Sequence, residues 1–163
     1  MIILRLQQIR DAQRFFEILN NPNFHYFGSQ PESVEAEIAW LEGNEKRFSE
    51  HKEWNYTILK GDDIIGGIGV KINQHRSYIG EIGYFIDEAY WGQGIATEAV
   101  RLLEEICIRE LRMTRFELLM LPENIGSEKV AIKSGYRKEG LLQKALLHKD
   151  GSKRDCFLYA KTL

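Results

Sequence analysis

EIGYFIDEAYWGQGIATEAV, residues Glu81–Val100, passes from a strand through a glycine turn into a helix. Ile82, Tyr84 and Ile86 recur at every second position, the period of a strand, until Asp87, Glu88 and Ala89 interrupt it. Trp91-Gly92-Gln93-Gly94-Ile95-Ala96 then turns the chain into an amphipathic helix predicted to run to about Leu111. Glycines on both sides of such a turn let successive backbone N–H groups crowd together and face outward. The helix behind them adds partial positive charge at its N-terminus. That combination holds a phosphate or pyrophosphate without a basic side chain.

Gly-x-Gly also occurs in tight turns whose glycines serve packing alone, and the loop by itself leaves that reading open. A P-loop needs Lys followed by Ser or Thr after its last glycine, where Ile95-Ala96 stands. A dinucleotide fingerprint belongs on an early strand. Here about half of the chain precedes the loop, and too little follows to finish a doubly wound sheet. Trp91–Ala96 does resemble the acyl-CoA loop of GNAT-type acetyltransferases, Gln/Arg-x-x-Gly-x-Gly/Ala, with Trp91 where Gln or Arg is more usual. The longer string Tyr90–Ala99 is similar to one branch of that superfamily, the RimJ/RimL-like N-acetyltransferases.

Composition narrows the classes. With 163 residues and 44% hydrophobic content, one well-cored domain over residues 1–163 is expected. A net charge of −2 without a basic block argues against a large nucleic-acid footprint and against an anionic-membrane anchor. The opening MIILRLQQIRD is too briefly apolar for a signal peptide or a membrane span. Cys107 and Cys156 lack metal-ligand spacing and read as reduced core residues of a cytoplasmic protein. His25, His51, His75 and His148 are scattered, so no metal site is expected.

Along the chain, Ile2–Gln7 reads as a strand with Ile2, Leu4 and Leu6 on one face, and Asp11–Asn20 as a helix whose apolar side is Phe15, Phe16, Ile18 and Leu19. An aromatic loop, Phe24–Gly28, precedes a second helix opened by Pro31 and running to about Phe48 on the stripe Val34, Ile38, Leu41. Trp54–Leu59 and Ile64–Ile72 are strands joined at Lys60-Gly61-Asp62-Asp63, and a second hairpin around Asn73–Ser77 leads into the strand ending at Ile86. The glycine-loop helix turns Ile95, Ala99, Leu102, Leu103 and Ile106 inward, with Glu105 and Arg109 spaced for an i,i+4 pair. Arg115–Leu121 is the next strand. Asn124 is placed to cap a helix ending at Gly135, and Tyr136–Leu163 reads as two strands turning at Asp150-Gly151.

A second block supports the resemblance. Leu121-Pro122-Glu123-Asn124-Ile125-Gly126-Ser127, then Val130, Lys133-Ser134-Gly135-Tyr136 and Glu139-Gly140, is similar to the RimJ/RimL pattern P-E-N-x-x-S-x-x-V-x-E-K-x-G-F-x-x-E-G, with Ile132 replacing the glutamate and Tyr136 the phenylalanine. The element order β-α-α-β-β-β-loop-α-β-α-β-β matches the GNAT acyl-CoA N-acyltransferase fold across essentially the whole chain. The resemblance implies an α/β protein whose central mixed sheet, flanked by helices, has splayed strands on either side of the loop. It implies acetyl-CoA as co-substrate and CoA as product. Phe85 and Ile86 would then meet the pantetheine arm, which pairs with the open strand edge as an added strand does. Backbone amides across Gly92, Gln93, Gly94, Ile95, Ala96 and Thr97 would meet the pyrophosphate, and the Asn124 side chain the cofactor. A free N–H near Ile86 would be the oxyanion donor.

The implied reaction is direct attack by a primary amine, through a tetrahedral intermediate. The amine is a protein N-terminal α-amine or a small-molecule amine; the sequence leaves both open. Such amines, with pKa values of about 8 to about 10.4, are mostly protonated at neutral pH, so a base is needed. Glu81, at the start of the central strand and out of phase with Ile82, Tyr84 and Ile86, is the chosen candidate; Asp87, Glu88 and Glu117 are alternatives. In much of the superfamily a helix tyrosine protonates the leaving thiolate, and Ala131 stands at that position. Ser127 is the substitute that the RimJ/RimL branch suggests, against an ordinary first-turn serine. Phe24, Tyr26, Phe27 and Trp40 are candidates for the acceptor entrance, with core packing as the competing role. Glu32, Glu35, Glu37 and Glu42 are candidates for attracting a cation, against a solvated helix face. Relatives often pair, so a homodimer is among the expected states. The rival functions are a non-catalytic acyl-CoA sensor of the same fold and a nucleotide-binding regulatory domain.

Overall fold

The computed structural model describes residues 1–28 and 30–163. Strand β1 (Ile3–Leu6) leads into helices α1 (Ala12–Leu19), α2 (Val34–Glu42) and α3 (Asn44–Ser49). A meander of β2 (Glu53–Lys60), β3 (Asp63–Ile72) and β4 (Ile79–Ile86) follows. Then come α4 (Ile95–Leu111), β5 (Arg115–Met120), α5 (Ile125–Lys133), β6 (Arg137–Leu147) and β7 (Lys153–Thr162). The strands form one sheet in the order β1-β2-β3-β4-β5-β7-β6, antiparallel throughout except for β4 and β5, which run parallel. This is the mixed α/β architecture that the element order implied.

Strand alternation sorts the core onto two faces. Ile82 and Ile86 of β4 join the larger cluster with Ala99, Val100 and Leu103 of α4 and Ala131 of α5. Phe85 points the other way, into a smaller cluster with Phe15, Ile18 and Leu19 of α1 and Leu41 of α2. The Phe15 and Phe85 rings meet edge to face at 5.1 Å between centroids. Glycine at position 67 makes room for this, because a β-carbon there would lie 2.6 Å from the Phe85 ring. Among the described residues no helix is long and apolar enough to cross a membrane.

Four local expectations change. The helix predicted from Pro31 to Phe48 begins later, at Val34, capped by Ser33, whose hydroxyl accepts the Ala36 amide hydrogen at 3.0 Å, and it breaks at Gly43. There the Arg47 guanidinium folds back onto the Trp40 carbonyl at 2.6 Å and over its ring at 4.3 Å, in space that a side chain at 43 would need. The first helix starts as a 3-10 turn over Ile9–Asp11, because Asp11 is fully buried as a hub accepting from Arg5, the Gln8 amide and Thr57. Leu6 of β1 is exposed rather than inward. In α4 the buried stripe is rotated to Ile95, Ala99, Val100, Leu103 and Cys107, and Glu105 pairs with Arg101 while Arg109 turns to Glu110.

The Phe15 ring holds α1 against the underside of β4. Phe15→Ala is expected to destabilise the protein by about 3–5 kcal/mol, measured by urea unfolding; a loss under about 1 kcal/mol would show that α1 does not anchor that face.

Candidate active site

The parallel pairing of β4 with β5 is short. It spans Ile79–Arg115, Gly80–Phe116 and Glu81–Glu117, then stops, although β4 continues to Ile86 and β5 to Met120. Beyond that point β4 stays paired with β3 up to Ile86, and β5 stays paired with β7 up to Met120. The strands therefore part along their inner edges only. The Asp87 amide donates to the Ile65 carbonyl at 2.8 Å, so odd-numbered residues of β4 direct their backbone groups to β3 and even-numbered ones toward β5. Above the last pair, the N–H groups of Tyr84 and Ile86 thus face the opening.

The glycine loop closes the upper end of this gap. Gly92 and Gly94 have φ of 73° and 78°, the left-handed region, and a β-carbon on either would meet nothing within 4 Å. The glycines serve backbone conformation, not packing. Gly94 is the N-cap of α4 and no side chain caps the helix. Among the described residues nothing accepts the amide hydrogens of Gly92, Gln93, Gly94, Ile95, Ala96 or Thr97. Trp91, the departure from the usual loop pattern, has a structural duty: its indole N–H donates to the Ile86 carbonyl at 2.7 Å and ties the loop to the end of β4. Phe85, expected from the resemblance to meet the pantetheine arm, points its side chain into the α1 cluster and its backbone N–H and C=O toward β3, so Tyr84 rather than Phe85 joins Ile86 in facing the gap.

On the α1 side of the sheet, Glu81, Gly83 and Phe85 share a face. Gly83 lies exposed in the middle of the sheet with nothing within 4 Å of a β-carbon position, so this face opens between Glu81 and Phe85. A cavity of about 120 Å³ below it is lined by Lys71, Ile72, Asn73, Ile79, Glu81 and Glu117. Burial pushes the Glu81 carboxyl above the ordinary carboxylate range; Lys71 opposes this, while Glu117 and Glu53 add to it. Glu81 makes no hydrogen bond or ion pair among the described residues. The other carboxylates are occupied: Glu117 by Arg115 at 2.7 Å, Asp87 by Arg14, and Glu88 by Asn21 and Asn23 at 2.7 and 2.8 Å.

Across the gap, Asn124 caps α5 by accepting the Ser127 amide hydrogen at 3.1 Å, and its Nδ2 donates to Ser127 Oγ at 3.0 Å. The Tyr84 hydroxyl donates to the same oxygen at 3.3 Å. Tyr84 was legible only as a strand residue; no sequence signal placed its hydroxyl beside Ser127. Ala131 is fully buried in the core. Phe24 and Phe27 are packed in the smaller cluster, whereas Tyr26 and Trp40 are exposed. Glu32, Glu35 and Glu42 are solvated, but Glu37 is buried at 7% exposure and its carboxyl is pushed upward by that burial.

The family model described as Acetyltransferase (GNAT) domain matches residues 1–137. The chain belongs to the GNAT acetyltransferase family. It is similar to the probable N-acetyltransferase YjcK of Bacillus subtilis (strain 168), 36% identical over 154 residues that cover 88% of this chain and 84% of the relative. It is also similar to the ribosomal-protein-serine acetyltransferase of Escherichia coli (strain K12), 32% identical over 108 residues, 66% of this chain and 60% of the relative. Among solved structures, the RimL ribosomal L7/L12 alpha-N-protein acetyltransferase in complex with coenzyme A superposes with a TM-score of 0.89 at 21% identity, covering 99% of this chain and 94% of that one. The protein is thus an acetyltransferase, and its GNAT relatives include the ribosomal-protein enzymes of the RimJ/RimL branch.

The raised pKa of Glu81 has a stability consequence of definite sign. Above its folded-state pKa the ionised carboxylate costs the folded protein free energy; below the ordinary value of 4.5 the cost is absent. Glu81→Gln is therefore expected to raise Tm at neutral and alkaline pH, with a gain that disappears as the pH falls below that value. Melting curves across pH check this, and a gain that grew on acidification would contradict the assigned shift.

Proposed function

We propose that this acetyltransferase moves the acetyl group of acetyl-CoA to a primary amine, a protein N-terminal α-amine or a small-molecule amine. The observation that carries the reading is the row of six unpaired amides at the head of α4, opening directly onto the parted β4 and β5. Left-handed glycines, an uncapped helix and open space beside them suit a diphosphate. In this reading the amides of Gly92, Gln93, Gly94, Ile95, Ala96 and Thr97 hold that diphosphate. The pantetheine arm lies along Tyr84 and Ile86, whose backbone groups face the gap, as a neighbouring strand would, and the second Nδ2 hydrogen of Asn124 reaches the cofactor from the α5 side.

Acetyl-CoA supplies an acetyl group activated as a thioester. The Ile86 N–H, aimed into the gap, polarises the thioester carbonyl. Glu81, unpaired and with a raised pKa, takes the proton of an amine arriving over Gly83. Ser127 meets the sulfur from the opposite bank. The two faces of the sheet thus receive different ligands, cofactor against α4 and α5, acceptor against α1 and α2. The coenzyme A complex of RimL supports the co-substrate, and the ribosomal-protein-serine relative supports an α-amine acceptor. The two free, buried cysteines suit a cytoplasmic setting.

The test is CoA-thiol release from acetyl-CoA against a panel of peptides with free α-amines and of small amines. Amine-dependent release on at least one class is expected; tight CoA binding without release on any would favour a sensor. Gly94→Trp should weaken CoA binding at least about tenfold while leaving a cooperative melt, and unchanged affinity would remove the loop from the site. Glu81→Gln should lower kcat/KM about 100-fold and abolish the acid limb of its pH profile, the limb that in the native enzyme lies above the ordinary carboxylate range; a profile of unchanged shape and height would retire Glu81 as the base.

A further inference from the structure

We propose that the Tyr84 hydroxyl, acting with the Asn124 side chain, aims the Ser127 O–H into the β4–β5 gap, so that Ser127 serves only as a donor to a thiol leaving group. The inference rests on the acyl-CoA reading and assigns a positioning role to Tyr84. Its ground is the hydrogen-bond capacity of one oxygen. Asn124 spends its Oδ1 on the Ser127 amide at 3.1 Å, which fixes the orientation of its side-chain amide and leaves Nδ2 facing Ser127 Oγ at 3.0 Å. Tyr84 Oη lies 3.3 Å from the same oxygen. A phenol is the more acidic of two hydroxyls and a serine oxygen the better acceptor, so this bond runs from Tyr84 to Ser127. A serine oxygen has two lone pairs and one O–H. Both lone pairs are taken, and no acceptor among the described residues takes the O–H. Donation is the one capacity left.

Position supports the same assignment. Tyr84 sits on the stretch of β4 that has lost its partner strand, and Ser127 in the first turn of the helix after β5, so their bond bridges the two banks of the opening. Burial pushes the Tyr84 phenol above its ordinary range against the effect of the Ser127 bond, so it stays a neutral donor at physiological pH. The neighbouring ionisable groups are closed on themselves: the Tyr136 hydroxyl donates to Glu104 at 2.7 Å, and Lys161 holds the other oxygen of Glu104 at 2.6 Å. During transfer, Ser127 holds the sulfur as the C–S bond breaks and its electron pair stays on the thiolate. Glu81 carries the proton released from the amine as the N–C bond forms.

A donor aimed at sulfur lowers the thiol pKa of bound CoA, which ultraviolet thiolate absorbance follows without any acceptor amine. Relative to native protein, Ser127→Ala should raise that pKa by about one unit and Tyr84→Phe by about half a unit. The double variant should match Ser127→Ala alone, because Tyr84 acts only through Ser127. An unshifted thiol in Tyr84→Phe, or additive shifts in the double variant, would overturn the proposal. Failure of the native protein to bind CoA would overturn the acyl-CoA reading and this inference with it, an outcome distinct from bound CoA with an unshifted thiol.

Discussion

The structure turns on a ladder that ends early. β4 and β5 are the one parallel pair in an otherwise antiparallel sheet, and they share three residue pairs before separating. Each strand is anchored on its outer side, β4 to β3 and β5 to β7, so the sheet divides into two halves that are each well paired. Sheet twist rotates neighbouring strands by roughly 20–25°, and the short contact lets the halves follow their own twist. At the upper end the Trp91 indole takes the Ile86 carbonyl, an acceptor that a longer parallel ladder would have used. The opening is thereby held by hydrogen bonds rather than left as a defect.

Everything chemical follows from what that opening exposes. Unpaired backbone groups are costly when buried, so the amides of Tyr84, Ile86 and the loop need either solvent or a ligand with acceptors in the right order. A chain carrying an amide-rich arm and a diphosphate provides both. The same parting connects the two faces of the sheet. Alternation places Glu81, Gly83 and Phe85 on the α1 face and Tyr84 on the α4 face, so the Glu81 carboxyl and the Tyr84 hydroxyl stand on opposite sides of one strand. Their environments are opposite: the Glu81 carboxyl has no partner among the described residues and is pushed upward by burial, whereas the Tyr84 hydroxyl is bonded to a Ser127 oxygen that Asn124 also reaches.

Much of this was legible from local chemistry. Glycine at 92 and 94 reports positive φ directly, the apolar period of α4 reports a helix, and Asn124 reports a cap, because each depends on neighbours in sequence. What depended on distant neighbours was not. The end of the β4–β5 ladder is set by pairings on the outer strands. Tyr84 looked like one more alternating apolar residue, because its partner lies in a helix 43 positions away. Trp91 looked like a departure from a motif until the Ile86 carbonyl was found beneath its indole. The break at Gly43 was hidden because Arg47 and Trp40, not the backbone, decide it. Among the carboxylates, position in the strand favours Glu81 with Asp87, Glu88 and Glu117 as alternatives, and no sequence pattern shows that Arg14 pairs with Asp87, Asn21 and Asn23 with Glu88, and Arg115 with Glu117.

The most direct test of this account is titration of the ¹⁵N-labelled protein with CoA, followed amide by amide. The account predicts that the largest shifts fall on Gly92–Thr97 and on Tyr84 and Ile86, whose N–H groups have no partner among the described residues. Shifts centred elsewhere, with these amides unmoved at saturation, would contradict it.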